Sequence, residues 1–427
     1  MNNSPLEPWI LDKIGCREHK RELIESWQLD KLKENIEYVK LHSKFYKNKF
    51  KTIADNIKSF SDFERLPFTT SGELKEDSLH FLCISQKNIE RIVSLDTSGT
   101  LGKPKRIYFT KEDQELTIDF FHNGMKCLVK TGDRVLILLP GKTVGSVGDL
   151  LQKGLSRMEV YSYIYDPSEK LKIAEIIENE NISCIVGIPV SVLRIKRENE
   201  KLYNDNITRI LLSTDYVPDT IIRELSSDKC KVYTHYGMTE MGLGGGVECE
   251  ALNGYHMREA DMYFEVIDIE TGENLPDGEY GEIVFTTLTR KGMPLIRYRT
   301  GDIGRFIEKP CICGTILKTM ERVRGRIENI TKLYDNKYIN ITDLDEILLK
   351  RKEILNYEVI LDDNMVIKLE MHENNNLDSV KNCLLHDLYE NLNLDRNMLK
   401  IDLQISNHIL TGNGRLKRKI FDNRRRT

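Results

Sequence analysis

Ser94-Leu95-Asp96-Thr97-Ser98-Gly99-Thr100-Leu101-Gly102-Lys103-Pro104-Lys105 is the stretch on which the reading of this chain turns. It follows a short β-branched run, Arg91 to Leu95, and from Thr97 onward it crowds hydroxyls, glycines and lysines together. Such a loop can wrap an oligophosphate. Gly99 and Gly102 let backbone N–H groups close on the anion, Thr97, Ser98 and Thr100 add hydroxyl donors, and Lys103 offers a mobile positive charge to β- and γ-phosphates. The Gly-x-x-x-x-Gly-Lys-Ser/Thr spacing of a Walker loop is absent. A plain surface turn has a similar composition, so the surroundings of the loop must decide.

Downstream, short apolar runs (Val135 to Leu139, Glu159 to Ile164, Cys184 to Gly187, Ile207 to Leu212) alternate with longer stretches suited to helices. With Arg91 to Leu95, that alternation predicts a parallel α/β sheet. Upstream, Leu32, Ile36, Val39, Leu41 and Phe45 recur at roughly helical spacing and predict a helical cap. From Tyr263 to Phe306 the texture changes to strands and tight turns, a β-rich subdomain. Beyond Gly325, strand-like Glu358 to Leu361 and Met365 to Leu369 and a helix over Leu377 to Leu392 predict a compact α+β lid. The expected class is therefore α/β: a large domain over residues 1–325 and a small, mobile C-terminal domain over 326–427.

Bulk properties limit the partners. The chain has 427 residues, 40% of them hydrophobic, and 63 Lys+Arg against 67 Asp+Glu give a formal net charge of -4. A large core is affordable and no basic field calls for nucleic acid or an anionic membrane, so the expected partner is a small molecule. The first residues lack the continuous apolar run of a signal peptide or a spanning helix, which predicts a cytoplasmic protein. Nine cysteines scattered along the chain fit reduced thiols or a metal site better than a disulfide framework.

Two further segments give the phosphate loop its company. His235-Tyr236-Gly237-Met238-Thr239-Glu240 offers a flat ring, a hydroxyl and a hard carboxylate of the kind Mg²⁺ prefers, and Tyr298-Arg299-Thr300-Gly301-Asp302-Ile303-Gly304-Arg305 places an acid at a glycine turn, a good acceptor for a diol. In this order the segments resemble the signatures of the adenylate-forming superfamily. Leu66-Pro67-Phe68-Thr69-Thr70, Phe285 to Thr289 and Met293 to Thr300 are similar in wording to its phenylacetate-coenzyme A ligase branch. The resemblance is strong from Leu29 to Arg326.

The resemblance implies that Tyr236 stacks on adenine beside Gly237, Thr239 meets the α-phosphate, Glu240 binds Mg²⁺, Asp302 takes both ribose hydroxyls and Arg305 reaches the nucleotide. It implies an AMP-forming acid-CoA ligase: ATP activates a small carboxylic acid, in that branch an aryl acid, as acyl-AMP, and coenzyme A then takes the acyl group. Gly141 to Val147, with Lys142, replaces an aromatic-rich stretch of the aryl pocket, so the acid stays open. So does the oligomeric state, a homodimer included.

Cys249, His256, Cys311 and Cys313 together offer a closed Cys₃His set, the donor type of structural Zn²⁺, and the branch carries similar elements here. Two departures from the family pattern stand out. Glu328, at the family's hinge aspartate, is followed by Thr331 to Asn336 without the glycine of the usual coenzyme A loop, and Arg415 stands where the family's catalytic lysine is expected, with Lys417 close by. Arginine is a planar fork and not a point charge. Both departures keep open an alternative, an adenylyltransferase of the deazaflavin-coenzyme synthetase type that transfers AMP to an acceptor without forming a thioester.

Overall fold

Three Ser/Thr-x-x-Asp/Glu signals start helices in the N-terminal third. Ser59 with Asp62, Thr70 with Glu73 and Thr110 with Asp113 each form a reciprocal capping box, so Phe60–Phe63, Ser71–Asp77 and Lys111–Met125 begin with their first N–H groups satisfied. The computed structural model describes residues 4–51, 57–95, 104–165, 173–372, 377–407, 409 and 418–424. These fall into two compact units: Met1–Thr131 with Gly141–Val160 and Thr234–Val323, and Gly132–Pro140 with Tyr161–Tyr233 and Arg324–Thr427.

The first unit is built on the helix Arg21–His42, which buries Leu32, Ile36 and Val39 along one stripe. Leu41 was expected on that stripe; it stands 78% exposed, because two residues beyond Val39 the helix has turned about 200°. The expected β-rich region forms from antiparallel strands Met262–Ile267, Gly281–Thr287 and Tyr298–Gly304, with Gly278 at φ +98° in the first connection. Helices Lys111–Met125 and Val147–Ser156 pack closely where Gly154 meets the backbone of His122, with a Cβ there only 3.0 Å from the His122 nitrogen. Arg91–Leu95 departs from expectation: it pairs antiparallel with Lys105–Phe109 as a two-stranded ribbon flanking the phosphate loop, and takes no place in the parallel sheet.

The second unit holds the parallel strands Arg134–Leu138, Tyr161–Ile164, Cys184–Gly187 and Arg209–Leu212, with Arg134–Leu138 between Tyr161–Ile164 and Cys184–Gly187. Their apolar runs are continuous because helices cover such sheets. The same unit contains an antiparallel pair, Ile354–Leu361 and Met365–Met371, extended by parallel partners Ile420–Asp422 and Ile401–Ile405 and accompanied by helices Ile341–Leu348 and Leu377–Asn391. Among the described residues no helix is long and apolar enough to cross a membrane.

One buried ion pair joins the N-terminal segment to the antiparallel strands. The Arg297 guanidinium, 2% exposed, donates to both oxygens of Glu265 at 2.9–3.2 Å and to the carbonyl oxygens of Glu64 and Leu66, and it lies 4.1 Å from the Phe68 ring centroid. Its backbone sits at φ +46°, a region costly for a side chain with a Cβ, yet its N–H bonds Thr286 Oγ1 at 2.8 Å and its carbonyl accepts Thr69 N–H at 2.9 Å. Burial alone would push the Glu265 carboxyl up; Arg297 opposes that. Removing one partner leaves an uncompensated charge, so Arg297→Met is expected to cost about 3–5 kcal/mol in urea unfolding, and Arg297→Met with Glu265→Leu to recover much of it.

Candidate active site

Strand Lys231–Tyr236 runs into a 3-10 turn, Thr239–Met241, that delivers the Glu240 carboxylate into the first unit's core at 3% side-chain exposure. A buried carboxylate needs partners. Glu240 Oε1 receives the Lys105 ammonium in a short ion pair and the Tyr298 hydroxyl at 3.2 Å. Lys105 Nζ also lies 3.2 Å from Ser71 Oγ and 3.3 Å from Tyr298 Oη. Arg290 holds the same turn from behind: fully buried, it donates to the Glu240 carbonyl at 2.7 Å and to the Tyr108 carbonyl at 3.0 Å, with burial pulling its pKa down.

The second half of the site is a tyrosine and an acid. Tyr236 Oη donates to Asp302 Oδ2 at 3.0 Å, and the Tyr236 ring stacks on Tyr255 with centroids 5.9 Å apart and planes 26° apart. Asp302 is 5% exposed on strand Tyr298–Gly304, where Gly301 at φ +74° bends the chain. Since Tyr236 and Glu240 flank one turn while Tyr298 and Asp302 share one strand, the two pairs form a single constellation. Gly237 leaves no room for a side chain, because a Cβ would strike the Leu243 carbonyl. Thr239 stands half-buried at the start of the turn.

Other expected residues are placed elsewhere or not described. Arg305 is not gathered with Asp302: strand alternation sets the two on opposite faces, and the Arg305 guanidinium pairs with Glu321, donates to the Gly278 carbonyl at 3.0 Å and covers the Tyr280 ring. Glu328, 71% exposed, accepts from Arg326 at 3.0 Å in the second unit. Thr97, Ser98, Gly99, Thr100, Gly102 and Lys103 lie outside the described residues, as do Arg415 and Lys417.

Cys249, His256, Cys311 and Cys313 converge. All are buried and their donor atoms lie within 4.8 Å of one another. Cys249 Sγ is 3.8 Å from Cys311 Sγ, and Cys313 Sγ is 3.4 Å from His256 Nε2, while His256 Nδ1 meets Thr319 Oγ1 at 3.2 Å. Burial lowers the His256 imidazole to about 4 and pushes the Cys249 and Cys311 thiols up, so apolar surroundings alone favour the neutral form of these three groups. A neutral imidazole anchored through Nδ1, with three thiols around its Nε2, is a donor set that fits a tetrahedral cation.

Residues 91–288 match the family model described as AMP-binding enzyme. Phenylacetate-coenzyme A ligase of Thermus thermophilus is 27% identical over 381 residues, 83% of this chain and 82% of that protein; the Escherichia coli protein of the same name is 24% identical over 82% of this chain and 83% of its own length. Over residues 91–288 the chain is similar to AMP-binding enzymes, and over most of its length it is similar to phenylacetate-coenzyme A ligases. A crystal structure of 2-hydroxyisobutyryl-CoA ligase in the postadenylation state, in complex with R3-HIB-AMP, shares the fold with a TM-score of 0.79 at 20% identity, over 93% of this chain and 89% of that one.

Within this fold, sequence reading missed Lys105 and Arg290. A signal for Lys105 existed: with Ile107 and Phe109 it shares the inward face of strand Lys105–Phe109, whereas Arg106 points to solvent. Arg290, after Thr289, had none, since a single arginine in a loop carries no period.

His235 supplies a pH test. Enclosed beside Phe120 and Phe121, its imidazole is held down to about 4 by burial. A folded-state pKa below the unfolded 6.5 means stability is full above pH 6.5 and is lost as pH falls toward 4. Between pH 7.5 and 5 the wild type should lose about 2 kcal/mol more unfolding free energy than His235→Gln, at about 1.4 kcal/mol per unit. Equal slopes in urea titrations would refute the assignment.

Proposed function

We propose that this chain uses ATP and Mg²⁺ to convert a small carboxylic acid into its acyl-adenylate and then transfers the acyl group to the thiol of coenzyme A, as a cytoplasmic acid-CoA ligase. The observation that carries the reading is the joined constellation of Lys105, Glu240 and Tyr298 with Tyr236 and Asp302 in a chain related over most of its length to phenylacetate-coenzyme A ligases. In the first step the substrate carboxylate attacks the α-phosphorus and pyrophosphate leaves, a reaction governed by positioning and charge neutralisation.

Glu240 is the carboxylate that would hold Mg²⁺, and the ion, when bound, neutralises phosphate oxygens. Lys105, already at the site, exchanges its carboxylate partner for phosphate; Thr97, Ser98, Gly99, Thr100, Gly102 and Lys103 take the leaving phosphates, Thr239 the α-phosphate, Tyr236 and Gly237 the adenine, and Asp302 the ribose. Arg305 serves the nucleotide only after leaving Glu321. Arg415 or Lys417 supplies the charge beside the attacking carboxylate, and residues 326–427 swing about Glu328 to admit the thiol. The Cys249, His256, Cys311 and Cys313 set is assigned to one structural Zn²⁺.

A panel of carboxylic acids, phenylacetate and 2-hydroxyisobutyrate included, scored for pyrophosphate release with and without coenzyme A, tests this. Acyl-CoA and AMP are the expected products; AMP stably attached to an acceptor would support the adenylyltransferase instead, and background release throughout would end both. Glu240→Gln should lower pyrophosphate release about a hundredfold or more, as loss of a key charge-stabilising group does. Elemental analysis of protein purified without added metal should find one zinc per chain, and Cys311→Ser should lower both the zinc content and the melting temperature.

A further inference from the structure

The second unit contains a cavity of about 810 Å³, none of whose lining residues belongs to the sites described above. Its walls come from the end of helix Pro189–Glu198 with Glu200, from helix Asp219–Leu225, and from the turn at residues 350–353 that leads into strand Ile354–Leu361. His372, just after strand Met365–Met371, completes the lining, and its N–H donates to the Glu353 carbonyl at 2.9 Å. Cavities of this volume hold small molecules.

One ion pair in the wall is already complete. Arg197, whose side chain is 4% exposed, meets the two Glu224 oxygens from Nε and Nη2 at 2.8 and 2.5 Å. Nη2 also reaches the Leu349 carbonyl at 2.7 Å, and Nη1 the Ile354 carbonyl. These bonds tie helix to turn and use up the guanidinium, and the charges of Arg197 and Glu224 cancel.

The remaining charges do not cancel. Lys196, Arg223, Lys350 and Lys352 share the lining with only Glu200 and Glu353, an excess of two positive charges with His372 neutral. Lys350 and Lys352 are exposed, and among the described residues their ammonium groups have no ion-pair or hydrogen-bond partner. Arg223 is 73% exposed, and the carboxylate it approaches, Glu346 at 3.7 Å, is held by the Asp219 and Thr220 N–H groups at 2.6 and 3.0 Å. Lys196 gives the Glu224 carbonyl one of its three donors; burial pulls its ammonium below the ordinary range and Lys352 adds to that pull, while Glu224 opposes it. A concave wall lined by one sign of charge concentrates counter-ions.

The lining also selects among anions. It offers no aromatic ring besides the His372 imidazole and no large aliphatic side chain, so nothing in it stacks a base or holds an acyl chain. It offers ammonium point charges on flexible stems, which suit phosphate oxygens, whereas planar carboxylates are best matched by a guanidinium fork, and the enclosed fork of Arg197 is taken by Glu224. A single phosphate fills only a small part of such a volume.

We propose that this cavity is a binding site for an inorganic condensed phosphate, diphosphate or longer, held by Lys196, Lys350 and Lys352 with Arg223 and His372 beside them. The inference does not depend on the acid-CoA ligase reading.

The test uses the full-length chain, acetylated with limiting N-hydroxysuccinimidyl acetate in the presence of inorganic tripolyphosphate, of citrate, or of sodium chloride at matched ionic strength. Peptide mass spectrometry follows each lysine separately, so tripolyphosphate bound at the nucleotide site does not obscure the result. Tripolyphosphate should slow acetylation of Lys350 and Lys352 at least about fivefold relative to chloride, and leave Lys47, an exposed lysine of the first unit, unchanged. No protection, or protection as strong with citrate, overturns the proposal.

A second arm reads the tripolyphosphate concentration that half-protects Lys350. It should rise at least about fivefold in Lys352→Gln, which removes one charge-assisted contact, and stay within about twofold of wild type in Lys352→Arg, which keeps the charge. Lys352 is exposed, so both variants should melt at the wild-type temperature, and Arg223→Gln gives the same comparison should either not fold. Equal half-protection in the wild type and the neutral variant places the anion elsewhere and overturns the site.

Discussion

The ion pair of Arg297 and Glu265 is the constraint on which the geometry of the nucleotide site depends. Through its guanidinium Arg297 gathers the carbonyls of Glu64 and Leu66, and through its backbone it bonds Thr69 and Thr286. The positive φ at Arg297 turns the chain so that strand Tyr298–Gly304 starts beside Thr69, with Thr69 bridged to Tyr298. That strand carries both Tyr298, which meets Glu240, and Asp302, which meets Tyr236. A strained backbone persists only where its surroundings over-determine it, and here Glu265, the Glu64 and Leu66 carbonyls, Thr69 and Thr286 do so.

Given that frame, the Lys105 and Glu240 pair explains how a buried carboxylate can wait for a cation. An isolated charge at this depth would cost several kcal/mol or would take up a proton. Lys105 offsets the charge of Glu240 and holds the carboxylate at a fixed place, and Arg290 fixes the backbone behind it through the Glu240 and Tyr108 carbonyl oxygens without competing for the carboxylate. Positioned charges that need no rearrangement at the moment of reaction are the usual basis of phosphoryl and adenylyl transfer.

Much of this was legible in the chain. Strand and helix periods gave the parallel sheet, the antiparallel region and the strands of the C-terminal segment, and the Tyr236 to Glu240 and Tyr298 to Asp302 segments pointed to residues that do meet. Local period could not show pairing partners, and so Arg91–Leu95 went to the wrong sheet: a strand's neighbours are set by which edges are free, not by its own sequence. Arg305 was assigned on motif order alone; the twofold alternation of a strand already separates positions 302 and 305, and Glu321 completes the separation. Likewise Arg290 acts through carbonyls far away in sequence, which no spacing rule reveals.

The Cys and His cluster belongs to the same mechanical argument, although it lies away from the chemistry. Tyr255 and His256 are consecutive on strand Tyr255–Met257, so their side chains point to opposite faces. Tyr255 backs the ring of Tyr236, and His256 enters the group formed with Cys249, Cys311 and Cys313. Strand Gly246–Glu248, which leads into Cys249, pairs with Tyr255–Met257 on one side, and Thr319–Met320 pairs with it on the other. Two loops and a strand drawn together behind Tyr255 leave the aromatic stack little freedom to tilt, and since Tyr236 also holds Asp302, the orientation of the acid that would meet a sugar is set in part by four donor atoms on the far side of the sheet.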